Sequence, residues 1–216
     1  VMDTISPIAQ CQNINLYLDG TGNASLIAAD LNNGSTDNCS IVSVSASKTT
    51  FTCAEEGANT VTLSFVDQAG NTSTCASTVT VIDSISPTAS CQNINVWLDA
   101  AGNASIVASD LDNGSNDNCS VPVLSASKTS FTCADLGANT VILSATDQAG
   151  NSSTCSSIVT VIDTVSPTAS CQNINAYLDG TGSISISSSD IDNGSSDNCG
   201  TTTANLSKSV FSCIDE

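Results

Sequence analysis

Thiols and carboxylates carry nearly all of the chemistry this sequence offers. Eleven cysteines and 21 acidic residues stand against three lysines, with no histidine and no arginine. Cys11, Cys39, Cys53 and Cys75 recur as Cys91, Cys119, Cys133 and Cys155, and then as Cys171, Cys199 and Cys213. The shift is 80 residues, and 55 of the 80 positions in 3–82 are identical to those in 83–162 without a gap. A fixed period of this kind marks an array of modules, so function is to be sought in the unit and in how units join.

The thiols admit three uses. Nucleophilic catalysis needs a base, and without histidine no Ser-His or Cys-His dyad can form, so an enzyme is not expected. Zinc sites favour CxxC pairs or histidines, whereas the cysteines of one unit stand 28, 14 and 22 residues apart. Disulfides remain, and they place the chain in an oxidising compartment outside the cytosol. Two pairings fit the period. In one, Cys11 bonds Cys75 and Cys39 bonds Cys53 within a unit, with Cys91–Cys155, Cys119–Cys133 and Cys199–Cys213 following. In the other, Cys75 reaches Cys91 and staples neighbours. The within-unit form is preferred because a sandwich brings its terminal strands together.

The carboxylates give a formal charge of −18. A polyanion is repelled by nucleic acid and by anionic membranes, and it attracts divalent cations. The densest cluster runs from Asp30 to Asn38 and recurs at 110–118 and 190–198. Asp30, Asn32 and Asp37, Asp110, Asp112 and Asp117, and Asp190, Asp192 and Asp197 offer hard oxygen ligands suited to Ca2+. The competing expectation is an Asx-turn loop whose side chains cap backbone groups. A second candidate is the junction between units, where Asp83 would meet Asp19 or Asp67, or their counterparts, as in Ca2+-stiffened cadherin-like arrays. Asp67 and Asp147, in Asp-x-x-Gly-Asn turns, are expected to act through local hydrogen bonds.

The elements holding these groups read as short strands. Ile14, Leu16 and Leu18 alternate before a turn at Asp19–Asn23, and a further strand covers Ile41 to Ser47. Val61, Leu63 and Phe65 face one way along Asn59–Val66, and Val79 and Val81 along Thr74–Ile82, with a hairpin at Asp67–Asn71 between. Cys11 has the wrong parity for the first strand, which implies a bulge or an extended lead-in. The fold class is all-β, with tandem sandwiches. Units divide at Asp-x-x-x-Pro segments: 1–2 ends a preceding repeat, 3–82 and 83–162 are complete, and 163–216 is cut short, so the chain reads as a slice of something longer. Proline stiffens these short connectors, which implies sandwiches strung end to end as a rod. No stretch approaches a membrane span.

The unit opens with Asp-x-x-x-Pro and then Cys. It closes with Thr146-Asp-Gln-Ala-Gly-Asn-Ser-Ser-Thr-Cys155 and Ile158-Val-Thr-Val-Ile162, and it resembles the hyalin-repeat (HYR) family of immunoglobulin-like modules, with Gln12, Gln92 and Gln172 where those repeats carry proline. Cys91-Gln-Asn-Ile-Asn95, Asp110-x-Asp-Asn-Gly-Ser115, Asp117-Asn-Cys119 and Phe131-Thr-Cys133 are similar to repeats of giant Bacteroidota surface adhesins, including SprB-like gliding-motility adhesins exported by type 9 secretion. The resemblance implies an extracellular, cell-surface or secreted stalk or adhesive filament, with first-to-last cysteine pairing. Its partners would be neighbouring repeats, with lateral self-association into filaments. Thr4, Ser84 and Thr164 lie in Asp-(Ser/Thr)-aliphatic segments that resemble an O-glycosylation motif of such proteins. The alternative is that each unit binds glycans or surfaces by avidity, through Tyr17, Trp97 and Tyr177, whose parity is opposite to that of the core residues. Lys48, Lys128 and Lys208 are expected to be lone solvated lysines, an isopeptide bond to asparagine being the competing chemistry.

Overall fold

The structure is a computed structural model that describes residues 1–215. Its first repeat contains β1 (Ile14–Tyr17), β2 (Asn23–Ser25), a one-turn helix α1 (Ala28–Leu31), β3 (Ile41–Ala46), β4 (Thr50–Thr52), β5 (Gly57–Asp67) and β6 (Thr72–Ile82). One sheet has the order β1-β6-β5-β3, and β2 pairs with β4 in a second. Alternation drives this arrangement. Along β5, Val61, Leu63 and Phe65 are fully buried, while Thr62 between them is exposed and Ser64 half-buried. The β5–β6 hairpin pairs Leu63 with Cys75 and Asn59 with Val79, which sets the apolar faces of both strands on one side.

β1 closes the sheet by pairing parallel to β6, Ile14 opposite Val79 and Tyr17 opposite Ile82. A parallel neighbour cannot come from a tight hairpin, so the rest of the repeat is its connection. Cys11 lies before β1 in an isolated bridge to Asn32, so its odd parity reflects an extended lead-in. The two sheets enclose Leu18, Leu26, Leu31, Phe51, Val61, Leu63, Phe65, Val79 and Val81, the sheet-on-sheet solution for two half-apolar layers.

The second repeat has β7 (Ile94–Trp97), β8 (Asn103–Ser105), β9 (Val123–Ala126), β10 (Ser130–Thr132), β11 (Gly137–Thr146) and β12 (Ser152–Ile162). Its sheets have the orders β7-β12-β11-β9 and β10-β8. β9 starts later than β3 because Pro122 stands where the first repeat has Val42, and proline donates no ladder hydrogen bond. The third repeat forms β13 (Ser183–Ser185), α2 (Ser188–Ile191) and β14 (Val210–Ser212), with β13 paired to β14.

The first two repeats therefore share one β-sandwich pattern, and the third carries the counterpart of their two-stranded sheet. Compactness groups the chain differently, into one unit of Val1–Cys91, Asp112–Ser125 and Leu143–Cys155 and another of Gln92–Leu111, Ala126–Ile142 and the residues from Ser156 onward. Among the described residues no helix is long and apolar enough to cross a membrane.

Candidate metal centre and the joint between repeats

Asp147 opens the turn between β11 and β12. Its Oδ1 accepts the Asn151 backbone N–H at 2.7 Å, and its Oδ2 accepts the Asn151 side-chain amide at 2.8 Å. These local bonds match the expected Asx chemistry, and they also aim the buried carboxylate toward two others. Asp83 comes from the connector, where its Oδ1 accepts from Ile85 N–H at 3.1 Å and from the Asn118 amide at 3.3 Å. Asp117 comes from the loop before β9, and its Oδ2 accepts Cys119 N–H at 3.1 Å. Oxygens of Asp83, Asp117 and Asp147 all lie within 4.8 Å of one another. Asp83 and Asp147 are only 5% and 6% exposed. Asp117 Oδ1 and Asn118 Oδ1 are buried and have no hydrogen-bond partner.

Three carboxylates so close, two of them buried and Asp117 half-buried, repel one another unless a counter-charge lies among them. Two unpartnered buried oxygens beside them have the same need, because a buried acceptor without a donor is costly. The donor set is all oxygen, which fits Ca2+ and does not fit a soft metal. Asp83, Asp117, Asp147 and the Asn118 amide oxygen would hold the ion, and it would supply charge neutralisation and cross-linking at the connector. The first repeat repeats the arrangement with Asp3, Asp37 and Asp67, where Asp37 Oδ1 is again buried and unpartnered. In the third repeat Asp197 Oδ1 and Asn198 Oδ1 share that condition.

The rest of the acidic loop departs from the metal-site expectation. Asp30 Oδ2 accepts Ile27 N–H at 2.8 Å and starts α1, and Asn32 Oδ1 accepts Ser35 N–H at 3.0 Å. Asp110, Asp112, Asp190 and Asp192 are engaged in the same way with Val107, Ser115, Ser187 and Ser195. Bonds from the Ser115 hydroxyl and N–H hold Asp112 below the usual carboxylate range, and those from Ser195 do the same to Asp192. Of each loop's three acceptors, only Asp37 and Asp117 reach a three-carboxylate group. Asp83 meets Asp147, the counterpart of Asp67 in its own repeat, and not Asp19 or Asp67 themselves. Asp19 takes part through its backbone carbonyl, which accepts from the Asn118 amide at 3.3 Å.

Asn118 thereby ties the second repeat to the first, and the next residue does so covalently. Cys53 bonds Cys119 and Cys133 bonds Cys199, with Cα–Cα distances of 5.3 and 5.0 Å. The local pairings Cys39–Cys53, Cys119–Cys133 and Cys199–Cys213 are not the ones formed, and Cys39, Cys171 and Cys213 are free and exposed. Cys75 does not reach Cys91 either: Cys11–Cys75 and Cys91–Cys155 close within repeats. The joint needs glycine at its centre. Gly22 has φ +73°, and a Cβ there would lie 2.5 Å from Cys53 Sγ and 2.9 Å from the Asn118 carbonyl oxygen.

Among the remaining candidates, Lys48 is not a lone solvated lysine but pairs with a carboxylate. Its Nζ lies 2.8 Å from Glu55 and 5.0 Å from the Phe51 ring centre. Lys128 pairs likewise with Asp135, and Lys208 with Asp215. Lys48, together with Thr52 hydroxyl and N–H donors, pulls Glu55 down to about 2. Thr4, Ser84 and Thr164 are exposed. Tyr17, Trp97 and Tyr177 are 58%, 58% and 79% exposed.

Sequence reasoning brought Asp83 to the Asp67-type turn residue but missed Asp3 and the joining of Asp37 and Asp117 to the same cluster, Asn118 as a bridge, and Cys53–Cys119 as the pairing that crosses repeats. The available signal was that Asp, Asn and Cys recur in one register at three distant places in each unit.

No family model and no curated protein matches the chain. Solved structures similar to it include protocadherin gamma B7 extracellular cadherin domains 1-4, at 14% identity over 80% of this chain and 55% of that one, with a TM-score of 0.35. PcdhgB3 EC1-4 is similar at 12% identity over 86% of this chain and 58% of that one, TM-score 0.39. Titin domains I67-I69 match at 12% identity over 85% and 75%, TM-score 0.36. The chain thus spans 55% and 58% of the two protocadherin segments.

Proposed function

We propose that the chain is a load-bearing segment of an extracellular adhesin, in which repeats follow one another end to end as a stiff rod. The observation that carries this reading is the Cys53–Cys119 bond, because a module whose only task was to bind a ligand would need no covalent tie to its neighbour. Four disulfides support an extracellular setting. The Asp83, Asp117 and Asp147 cluster near that bond supports a divalent cation, Ca2+ by its oxygen ligands, that would fix the connector to the second repeat beside the joint. Repeat phrasing further supports a surface adhesin of the HYR-like, SprB-like kind, with Thr4, Ser84 and Thr164 as O-glycosylation sites. The test is small-angle scattering and thermal unfolding of the oxidised chain with Ca2+ and with chelator. A maximum dimension that stays fixed, with a higher Tm in Ca2+, fits the reading. A chain that flexes freely while its disulfides are intact overturns it.

A second reading is favoured by the exposed Tyr17 and Trp97, one per repeat on the outer face of the strand pairing with β6 or β12. Such aromatics suit sugar stacking, and repetition would raise weak contacts to avidity. Loss of surface adhesion in Trp97→Ala with an unchanged Tm would favour this reading over the first.

A further inference from the structure

Polar residues of the first repeat give way to large apolar ones in the second at four positions: Val123 stands for Ser43, Leu136 for Glu56, Ile142 for Thr62 and Ile158 for Thr78. All four side chains are exposed, so core packing does not account for them. Strand formation does not either, because threonine and isoleucine are both β-branched and suit a strand equally well. Trp97 likewise replaces Tyr17, and it is the single tryptophan of the chain. What the changes alter is the polarity of a surface, and exposed apolar groups that gather mark a place where something binds.

Three of these residues gather with Trp97. Ile142 lies on β11 between the buried Val141 and Leu143, and Ile158 on β12 between the buried Ser157 and Val159, so both face away from the core. β7 runs parallel beside β12, with Trp97 opposite Ile162 and Asn95 opposite Thr160. The indole and the two exposed isoleucines therefore share the outer face with the half-buried Ile162, and Leu136 immediately precedes β11. No charged residue occurs in β7, β9, β11 or β12, so an acidic chain carries a neutral, apolar face here. The ends of the chain do not create this opening: Tyr17, with a whole repeat after it, and Trp97, with a whole repeat before it, are equally exposed.

We propose that the face of Trp97, Leu136, Ile142, Ile158 and Ile162 binds an uncharged polysaccharide, an inference that rests on the second reading above and confines it to repeats of this apolar kind. Charge selects the ligand. The chain carries −18, and Lys48, Lys128 and Lys208 are each paired with a carboxylate, so nothing on it attracts an acidic polymer, and a second copy brings the same charge. Size selects it as well. From β7 to β11 the face spans two strand spacings, and from Ile158 to Ile162 four residues, which is about 10 Å by 13 Å. That is several-fold smaller than the roughly 800 Å² that each side of a stable protein interface buries, and it suits a short run of sugar rings. Their C–H faces would stack on the indole and the isoleucines, while Thr140 and Thr160, on the same face, offer hydroxyls to the ring hydroxyls.

The test titrates the oxidised whole chain with hydroxyethyl cellulose, laminarin and mannan, following the fluorescence of Trp97, with alginate as the acidic comparison. A saturable change with at least one neutral polymer, and none with alginate, is expected. Ile142→Thr combined with Ile158→Thr restores the residues that the first repeat carries in the same sheet, so the variant should keep its Tm while binding weakens about tenfold, each swap removing about one methylene of contact. Binding that is lost in Trp97→Ala yet indifferent to the paired isoleucine change overturns the proposal and leaves the reading through aromatics alone standing. No change with any neutral polymer overturns both. A change of equal size with alginate overturns the proposal, as does one that appears on concentrating the protein with no polymer present, which would place a second copy on the face.

Discussion

Replacing Cys53 and Cys119 together by serine removes the covalent tie between the first and second repeats while leaving Cys11–Cys75 and Cys91–Cys155 in place. The two sulfurs are 66 residues apart in sequence, and loop-closure entropy for a ring of that size corresponds to about 4 kcal/mol of stability at room temperature. Loss on this scale is to be read from guanidinium denaturation of the oxidised protein, followed by far-ultraviolet circular dichroism, with each transition fitted separately. The control is Cys39→Ser, which the structure expects to be near neutral because Cys39 is free and exposed. Had Cys39 been bonded to Cys53 across a 14-residue ring, that single change would instead cost about 3 kcal/mol by the same relation. A Cys53→Ser/Cys119→Ser loss below about 1 kcal/mol, or a large loss in Cys39→Ser, would refute the reasoning about which cysteines carry the load.

Further outcomes follow from individual residues. Gly22→Ala should cost about 1–3 kcal/mol, because alanine resists that backbone conformation and its Cβ would crowd Cys53 Sγ; Gly20→Ala, whose Cβ meets nothing within 4 Å, should be near neutral in the same melts. Leu63→Ala empties a fully buried position in the first repeat's core and should cost about 2–5 kcal/mol in denaturant titration. Glu55 is depressed from 4.5 to about 2 by Lys48 and Thr52. Its folded pKa lies below the unfolded one, so its stabilisation is complete above pH 4.5 and is lost as pH falls through about 2. Carboxyl chemical shifts of Glu55 across that range check this, and a midpoint near the ordinary value would contradict it.

The sandwich was legible because it depends on short-range pattern. Val61, Leu63 and Phe65 alternate within one strand, and Asp67 to Asn71 carries its own turn chemistry, so sequence showed both. The parallel pairing of β1 with β6 was not visible, since register between strands so far apart is settled by packing across the whole repeat. The disulfides divide in the same way. Cys11 and Cys75 sit on strands expected to adjoin, whereas Cys53–Cys119 depends on how two repeats meet, and a period alone allows any constant offset. The acidic loop misled because Asp30, Asn32 and Asp37 look alike in sequence, yet Asp30 caps α1, Asn32 closes a turn, and only Asp37 reaches the cluster. The meeting of Asp83 with the Asp67-type turn residue, Asp147, was one of the junction pairings expected, but the third carboxylate, Asp117, joins it only when the loop before β9 is brought beside them.

Calorimetric titration of Ca2+ into the oxidised, chelator-stripped chain tests the central claim most directly, with Asp117→Asn as the paired variant. The account predicts saturable binding that Asp117→Asn weakens at the second-repeat cluster while the cluster of Asp3, Asp37 and Asp67 still binds. No saturable binding up to millimolar Ca2+, or binding indifferent to both Asp117→Asn and Asp37→Asn, would contradict it.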